Sequence, residues 1–142
     1  MQLTNQNQYF CTSGIRVRRS ATQLDYAGSM QRLALALDQH KGVLLASSFE
    51  YPGRYTRWDI GFINPPLQFI GRGRQLTINA LNVRGEIMLP EIFAALQACD
   101  AVDKLDANEQ QIDVTVVSDE TELAEEMRSR RPSLFSVLRN II

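Results

Sequence analysis

Cysteine, histidine and long apolar runs are all scarce in this sequence. Its 142 residues include two cysteines, Cys11 and Cys99, and one histidine, His40. Two cysteines are too few for a disulfide framework or a cysteine-ligated zinc site, and one histidine cannot surround a metal. There is no stretch of about 18 consecutive apolar residues, the length that a membrane-spanning helix needs. We therefore expect reduced thiols, no metal site and no membrane partner.

The same scarcity leaves few groups for catalysis. A serine–histidine pair would require His40, which the pattern predicts at the end of a helix. Cys11 lies in a start rich in Gln and Asn, and Cys99 is predicted on the apolar face of a helix. The glycines at 71 and 73 lack the strand-to-helix setting of a phosphate-binding loop. The residues alone therefore predict no catalytic group.

The N-terminus has no pattern of a secretory signal. Residues 1–8 are mostly polar and uncharged, so they lack both the basic start and the apolar middle of a signal peptide. Apolar residues make up 44% of the chain and the net charge is −1, which a disordered chain does not show. We expect a cytoplasmic protein with a flexible leader over residues 1–13 and one domain over residues 14–142.

Charge is distributed unevenly along the chain. Residues 1–90 contain 10 basic and 5 acidic residues, whereas residues 91–142 contain 5 basic and 11 acidic residues. Two interpretations follow: the halves attract each other or meet oppositely charged neighbours, or the first half binds an anion such as RNA through Arg16, Arg18 and Arg19. The scattered positions of the basic residues favour the first, so we predict no nucleic-acid partner.

Helical spacing of apolar residues predicts four helices. The first has Thr22 and Asp25 as a capping pair, and its apolar face is formed by Tyr26, Met30, Leu33 and Leu37. The second begins at Pro90 and the third is capped by Asp119. The fourth is capped by Ser133 and carries Leu134, Phe135, Leu138 and Ile141.

Alternating apolar residues and turn signals predict strands between these helices. The predicted strands cover residues 14–19, 43–46, 55–63, 67–70, 74–82 and 112–116. The run 43–46 is apolar throughout, which favours a strand buried on both faces. Turns are expected at 71–73 and 84–86, and an acidic connection at 100–110. The predicted fold class is α+β, with helices covering a mostly antiparallel sheet.

One segment, residues 44–59, concentrates groups that suit ligand binding. Two hydroxyls follow the apolar strand, and four aromatics, two arginines and two carboxylates surround the turn at Pro52-Gly53. Such a set can bind a zwitterionic aromatic ligand, with carboxylate and hydroxyl to its ammonium and arginine to its carboxylate. It can equally form an arginine–aromatic cluster that holds the turn against the sheet. The residues alone leave both interpretations open.

The run from Ser47 to Asp59, followed by Pro65-Pro66-Leu67, resembles the N-terminal region of anthranilate synthase component I. The resemblance is to the bacterial form that is fused to its glutamine amidotransferase. Residues 84–90 and 132–139 resemble two further blocks of that family.

This resemblance implies a role in tryptophan biosynthesis. The family is a lyase that converts chorismate and glutamine-derived ammonia to anthranilate, and its large C-terminal domain holds chorismate and Mg²⁺. The 142 residues contain nothing similar to that domain. The resemblance therefore implies a non-catalytic part without a cofactor of its own. Its implied partners are L-tryptophan, the chorismate-binding domain in cis or in trans, the glutamine amidotransferase and a second copy of the chain.

The resemblance also implies part of the L-tryptophan feedback site. The family signature there is Leu-Leu-Glu-Ser, and this chain has Leu44-Leu45-Ala46-Ser47, so Ser47 matches the serine that contacts tryptophan. Ala46 stands where the family has an acidic residue. Further candidates near Ser47 are Leu45, Ala46, Ser48, Tyr51, Arg54 and Arg57. The alternative function is a stand-alone module of this fold that binds an amino acid or a protein partner.

Overall fold

The computed structural model describes residues 4–10, 15–47, 59–118 and 131–141. Within these ranges the chain forms eight strands and three helices, and each strand pair is antiparallel. This confirms the predicted α+β class. The chain divides into two compact units, Met1–Pro65 and Pro66–Ile142. No helix in the described part of the chain is long and apolar enough to cross a membrane.

The first unit contains one helix and two strand pairs. Its elements are β1 (Thr4–Phe10), β2 (Arg16–Thr22), α1 (Tyr26–Leu37), β3 (Gly42–Ala46) and β4 (Asp59–Ile63). β1 pairs with β2, and β3 pairs with β4. The strand β1 lies where the sequence predicted a leader without regular structure. Its mostly polar residues do not alternate with apolar ones, so the sequence pattern does not identify a strand. The strand is instead held by backbone hydrogen bonds to β2.

Helix α1 contains the four residues of its predicted apolar face, but its cap differs from the prediction. The Asp25 carboxylate accepts the Gly28 N–H at 2.8 Å and is the N-cap, whereas Thr22 belongs to β2. The helix covers one face of the β3–β4 pair, because a Cβ atom on Gly61 would overlap the Leu33 side chain. A Cβ atom on Gly42 would overlap the Leu37 side chain as well as the Phe62 carbonyl oxygen.

The other face of the β3–β4 pair is apolar and exposed. Leu45 lies opposite Ile60 and Val43 lies opposite Phe62, so these four side chains share that face. Their exposed fractions are 65%, 61%, 38% and 49%. We call these residues the exposed face. The prediction that β3 is buried on both faces was wrong, because a short apolar run does not reveal how many of its faces are covered.

The second unit contains a four-stranded sheet and two helices. Its elements are β5 (Leu67–Arg72), β6 (Gln75–Ala80), α2 (Val83–Gln97), β7 (Val102–Ala107), β8 (Gln111–Val116) and α3 (Leu134–Arg139). The strand order is β5-β6-β8-β7. The turn between β5 and β6 is centred on Gly73, whose φ of 60° suits glycine, and lies slightly later than predicted. The predicted helix after Asp119 lies outside the described residues.

The core of this unit lies between α2, α3 and one face of the sheet. Its buried residues are Leu76, Ile78, Leu89, Ile92, Leu96, Ile112, Val114, Val116 and Val137. The alternation predicted for β6 and β8 is confirmed. In α3, Val137 is fully buried, whereas Phe135, which the sequence placed on the apolar face, is 71% exposed. Ser133 is the N-cap residue as predicted, and its backbone N–H donates to Ser136 Oγ at 3.2 Å, which is the reciprocal bond of a capping box.

Helix α2 begins seven residues before the predicted start at Pro90. Asn82 is its N-cap, and the Asn82 side chain accepts the N–H groups of Arg84 at 3.1 Å and Gly85 at 3.3 Å. The predicted turn at 84–86 is therefore the first helical turn. Pro90 lies inside the helix on its exposed side. Proline has no N–H, so one hydrogen bond within the helix is missing at this position. The buried side chains of Leu89, Ile92 and Leu96 stabilise the helix on both sides of it.

Strand β7 occupies the region that the sequence assigned to an acidic connection. Val102 pairs with Val116 and Leu105 pairs with Val114, but the register shifts between Val102 and Lys104. The extra residue, Asp103, forms a bulge, and a bulge interrupts the alternation of apolar and polar residues by which a strand is identified. The sequence prediction was wrong here because the apolar residues are three positions apart.

We predict that Gly85→Ala lowers the free energy of unfolding by about 1–3 kcal/mol. A Cβ at this position would overlap the Pro66 carbonyl oxygen, and backbone on both sides leaves little room to adjust. Chemical denaturation followed by circular dichroism measures the change. Gln97→Ala, at an exposed position of the same helix, is the control and should change stability by less than about 0.5 kcal/mol. Equal stabilities for the two variants would contradict the close approach.

We predict that the chain self-associates through the exposed face and that Phe62→Ser weakens this association. Four large apolar side chains on one surface favour burial against another surface. Sedimentation velocity over a concentration series measures the association. The matched control is Phe135→Ser, because Phe135 is an exposed aromatic of the second unit and not part of the exposed face. A monomeric wild-type chain at high concentration would contradict the prediction.

Candidate functional site

The candidate site lies where β3 ends and β4 begins. Ala46 is the last residue of β3 and lies opposite Asp59, the first residue of β4. Ser47 follows Ala46, and its backbone N–H donates to Asp59 Oδ1 at 2.9 Å. A backbone N–H that leaves a strand ladder needs a new acceptor, and the carboxylate of the facing residue provides it. One hydrogen bond thus fixes Ser47 beside a negative charge.

The two paired strands carry little charge of their own. In residues 42–47 and 59–63, Asp59 is the one ionisable residue. It is partly buried, as is Ser47. Partial burial lowers the local dielectric constant, so the carboxylate interacts more strongly with a cation or an N–H donor than it would in water. Asp59 therefore places one negative charge at this end of the strand pair.

The structure brings together three of the residues predicted from the sequence. Ser47, Ala46 and Leu45 are consecutive at the end of β3. Ala46 shares with Asp59 the face toward α1, whereas Leu45 lies on the opposite, exposed face. The other candidates, Ser48, Tyr51, Arg54 and Arg57, lie outside the described residues.

Sequence reasoning missed the individual role of Asp59. Asp59 was included among the charged residues of segment 44–59. Nothing in the order of residues, however, connects Asp59 with Ser47, which lies twelve positions earlier. The available signal was the pairing of two apolar runs, 43–46 and 60–63, as an antiparallel hairpin. Aligning these runs end to end would have placed Asp59 beside the residue that follows β3.

The second unit has shallow grooves on either side of Phe93. One has a volume of about 300 Å³ and lies between α2 and the turn that joins β7 to β8, with Leu89, Ile112 and Glu109 in its lining. The other, of about 280 Å³, includes Cys99 and Leu105. Across the described residues, no three His, Cys, Asp or Glu side chains are placed to hold one metal ion. Of the residues predicted for ligand binding, the three that the structure describes, Leu45, Ala46 and Ser47, do not line these grooves.

Comparison with known proteins finds a similarity to part of a longer protein. The chain is 40% identical over 129 residues to a protein named anthranilate synthase from Azospirillum brasilense. The aligned region covers 91% of this chain but 18% of that protein, so the chain spans about a fifth of its relative's length. No protein-family model matches the sequence. No solved structure matches it significantly either.

We predict that Asp59→Ala accelerates hydrogen exchange of the Ser47 amide by about tenfold or more. The substitution removes a charged acceptor, and hydrogen bonds to charged groups contribute about 1.5–3 kcal/mol. Exchange followed by heteronuclear NMR measures the protection of this single N–H. Asp113→Ala is the matched control, because that carboxylate accepts a hydrogen bond from Thr77 in the second unit. Unchanged exchange at Ser47 in the Asp59 variant would contradict the hydrogen bond.

Proposed function

We propose that this chain is a regulatory, non-catalytic part of an anthranilate synthase and acts in tryptophan biosynthesis. The observation that carries the proposal is the 40% identity over 129 residues to the Azospirillum protein of that name. The similarity extends over nearly all of this chain, so both units are included in it. The match to one segment of a much longer enzyme favours a contribution to that enzyme over the complete activity.

The division of labour within the resembled family supports the non-catalytic assignment. Chorismate and Mg²⁺ are expected in the large C-terminal domain, whereas the present chain resembles the N-terminal region. Most of the relative's length lies outside the similarity. On this proposal the chain works in the cytoplasm with a chorismate-binding domain, in cis or in trans, and with a glutamine amidotransferase.

We infer that the regulatory role depends on L-tryptophan binding at the end of β3 and β4, as feedback inhibition requires. Ser47 matches the family serine that contacts tryptophan, and the hydrogen bond to Asp59 holds its backbone in place. The ligand is a zwitterion, so it needs a negative group near its ammonium. The carboxylate at this end of the strand pair meets that requirement.

We predict that L-tryptophan shifts the NMR signals of Ser47 and its neighbours and that Ser47→Ala weakens binding by about twofold to twelvefold. Removing one hydroxyl hydrogen bond costs about 0.5–1.5 kcal/mol, which corresponds to this range. Chemical-shift titration registers millimolar affinity, so it detects a site that is only partly formed by this chain. Ser20→Ala, an exposed serine in β2, is the control and should leave the affinity unchanged.

Three outcomes would contradict the proposal. Equal shifts with L-phenylalanine, or no shifts with L-tryptophan at millimolar concentration, would exclude a specific tryptophan site in this chain. Formation of anthranilate by the purified chain from chorismate and ammonia would exclude the non-catalytic assignment. Anthranilate fluorescence measures that reaction directly.

A further inference from the structure

We propose that the edge strand β5 pairs with β5 of a second copy of this chain, so that two four-stranded sheets join into one. The pairing is antiparallel and symmetric about Phe69. This inference goes beyond the proposed function, because it concerns the second unit and uses no residue of the candidate site. It assigns an interaction surface to one edge of the sheet and names the partner that this edge fits.

The first argument is the backbone along the edge. Among the described strands, β6 is the one neighbour of β5. The Leu81 N–H donates to the Pro66 carbonyl oxygen at 2.8 Å, which fixes the alternation of the ladder that continues along β5. Every second residue of β5 therefore directs its N–H and C=O groups to β6. The intervening residues direct theirs away from the sheet: Leu67, Phe69 and Gly71. Such a row is a template for an added strand.

The second argument is the difference between the two edges of the sheet. Strand β7, at the opposite edge, has a bulge and three charged residues. Strand β5 keeps a regular register with β6 at all six of its positions, and its one charged residue is Arg72 at the end. Bulges and charges are the usual devices that keep an edge strand from pairing. They are present on β7 and missing from β5, so β5 is the edge that can accept a strand.

The third argument is the exposure of Phe69. This residue lies opposite Ile78, which is fully buried, and so belongs to the core face of the sheet. Phe69 is nevertheless 41% exposed. In the symmetric register, Phe69 of the second copy would lie directly opposite, with a Cα separation of about 5.5 Å. Each ring would then cover the other, because aromatic pairs across adjacent strands pack favourably.

The fourth argument is that the edge complements itself in shape. When Phe69 faces its own copy, Leu67 lies opposite Gly71 of the other chain. Gly71 has no side chain, and the space where its Cβ would be is bordered by Leu134, whose Cδ1 would lie 2.8 Å from that atom. The leucine side chain therefore meets an apolar neighbour at a position where no side chain opposes it. The same contact occurs twice, as symmetry requires.

Charge and closure favour a pair of copies over a longer assembly. In the symmetric register Arg72 lies opposite Pro66, so the two arginines do not face each other. The pairing uses the β5 edge of both copies, and both outer edges of the joined sheet are then β7. The bulge and charges of β7 oppose further addition. The interface is therefore isologous and closes at the dimer.

Cross-linking tests the register. Phe69→Cys places two thiols opposite each other at a Cα separation of about 5.5 Å, which a disulfide can span. Leu67→Cys is the matched control, because each thiol would face position 71 of the other copy and not its own equivalent. After mild oxidation, denaturing gel electrophoresis without reductant measures the covalent dimer. The wild-type chain, which has both native cysteines, gives the background. We expect about tenfold more covalent dimer in Phe69→Cys than in Leu67→Cys.

Sedimentation velocity over a concentration series tests the strength of the pairing. Every chain in this experiment carries Phe62→Ser, which removes the association expected through the exposed face. Phe69→Lys brings two positive charges face to face and should weaken the dimer about tenfold or more. Gln97→Lys adds the same charge at an exposed position of α2 and should weaken it less than about threefold. Circular dichroism measures whether each variant is folded, and the cross-linking result does not depend on Phe69→Lys.

Three results would overturn the inference. Equal amounts of covalent dimer at positions 67 and 69, including none at either, would contradict the register. A Phe62→Ser chain that remains monomeric at millimolar concentration would exclude the β5 interface. Equal weakening by the two lysine substitutions would show that the copies associate elsewhere. None of these results affects the proposed function, because L-tryptophan binding and anthranilate formation are measured separately.

Discussion

The antiparallel pairing of β3 with β4 determines the position of every described residue of the candidate site. The register places Ala46 opposite Asp59 and so brings the Asp59 carboxylate within 2.9 Å of the Ser47 N–H. A shift of one residue would turn each side chain to the other face of the pair. Such a shift would expose Leu44 to solvent and separate Ser47 from its acceptor. Helix α1 opposes it, because Leu33 and Leu37 fit closely against Gly61 and Gly42 in the observed register alone.

Much of the fold could be predicted from the sequence because local pattern and tertiary packing agree there. Helix α1 and strands β6 and β8 carry apolar residues at the spacing of their own secondary structure. The two strands bury one face each, whereas the apolar face of α1 is half-buried. The prediction of where α2 begins was wrong because a proline suggested a later start. Proline is common at the first turn of helices, so Pro90 suggested a start, whereas Asn82 provides the cap eight residues earlier.

The candidate site was predictable in part. The short motif that contains Ser47 is a local feature, and the resemblance to a known family rests on such features. The role of Asp59 depends on a contact between residues twelve positions apart, which requires the strand register. The exposed face illustrates the same limit. The sequence of β3 shows that its residues are apolar, but only the pairing with β4 and the position of α1 show which of them are left uncovered.

The bulge in β7 has a consequence for the behaviour of the second unit at high protein concentration. Strand β7 is at an edge of the four-stranded sheet, where an incoming strand from another molecule would extend the ladder. The irregular register between Val102 and Lys104 interrupts the straight row of hydrogen-bonding groups that such an addition requires. Asp103, Lys104 and Asp106 also place charge along this edge, which makes the approach of an apolar strand unfavourable. The same residues that hide β7 from a simple pattern search therefore protect the sheet against edge-to-edge aggregation.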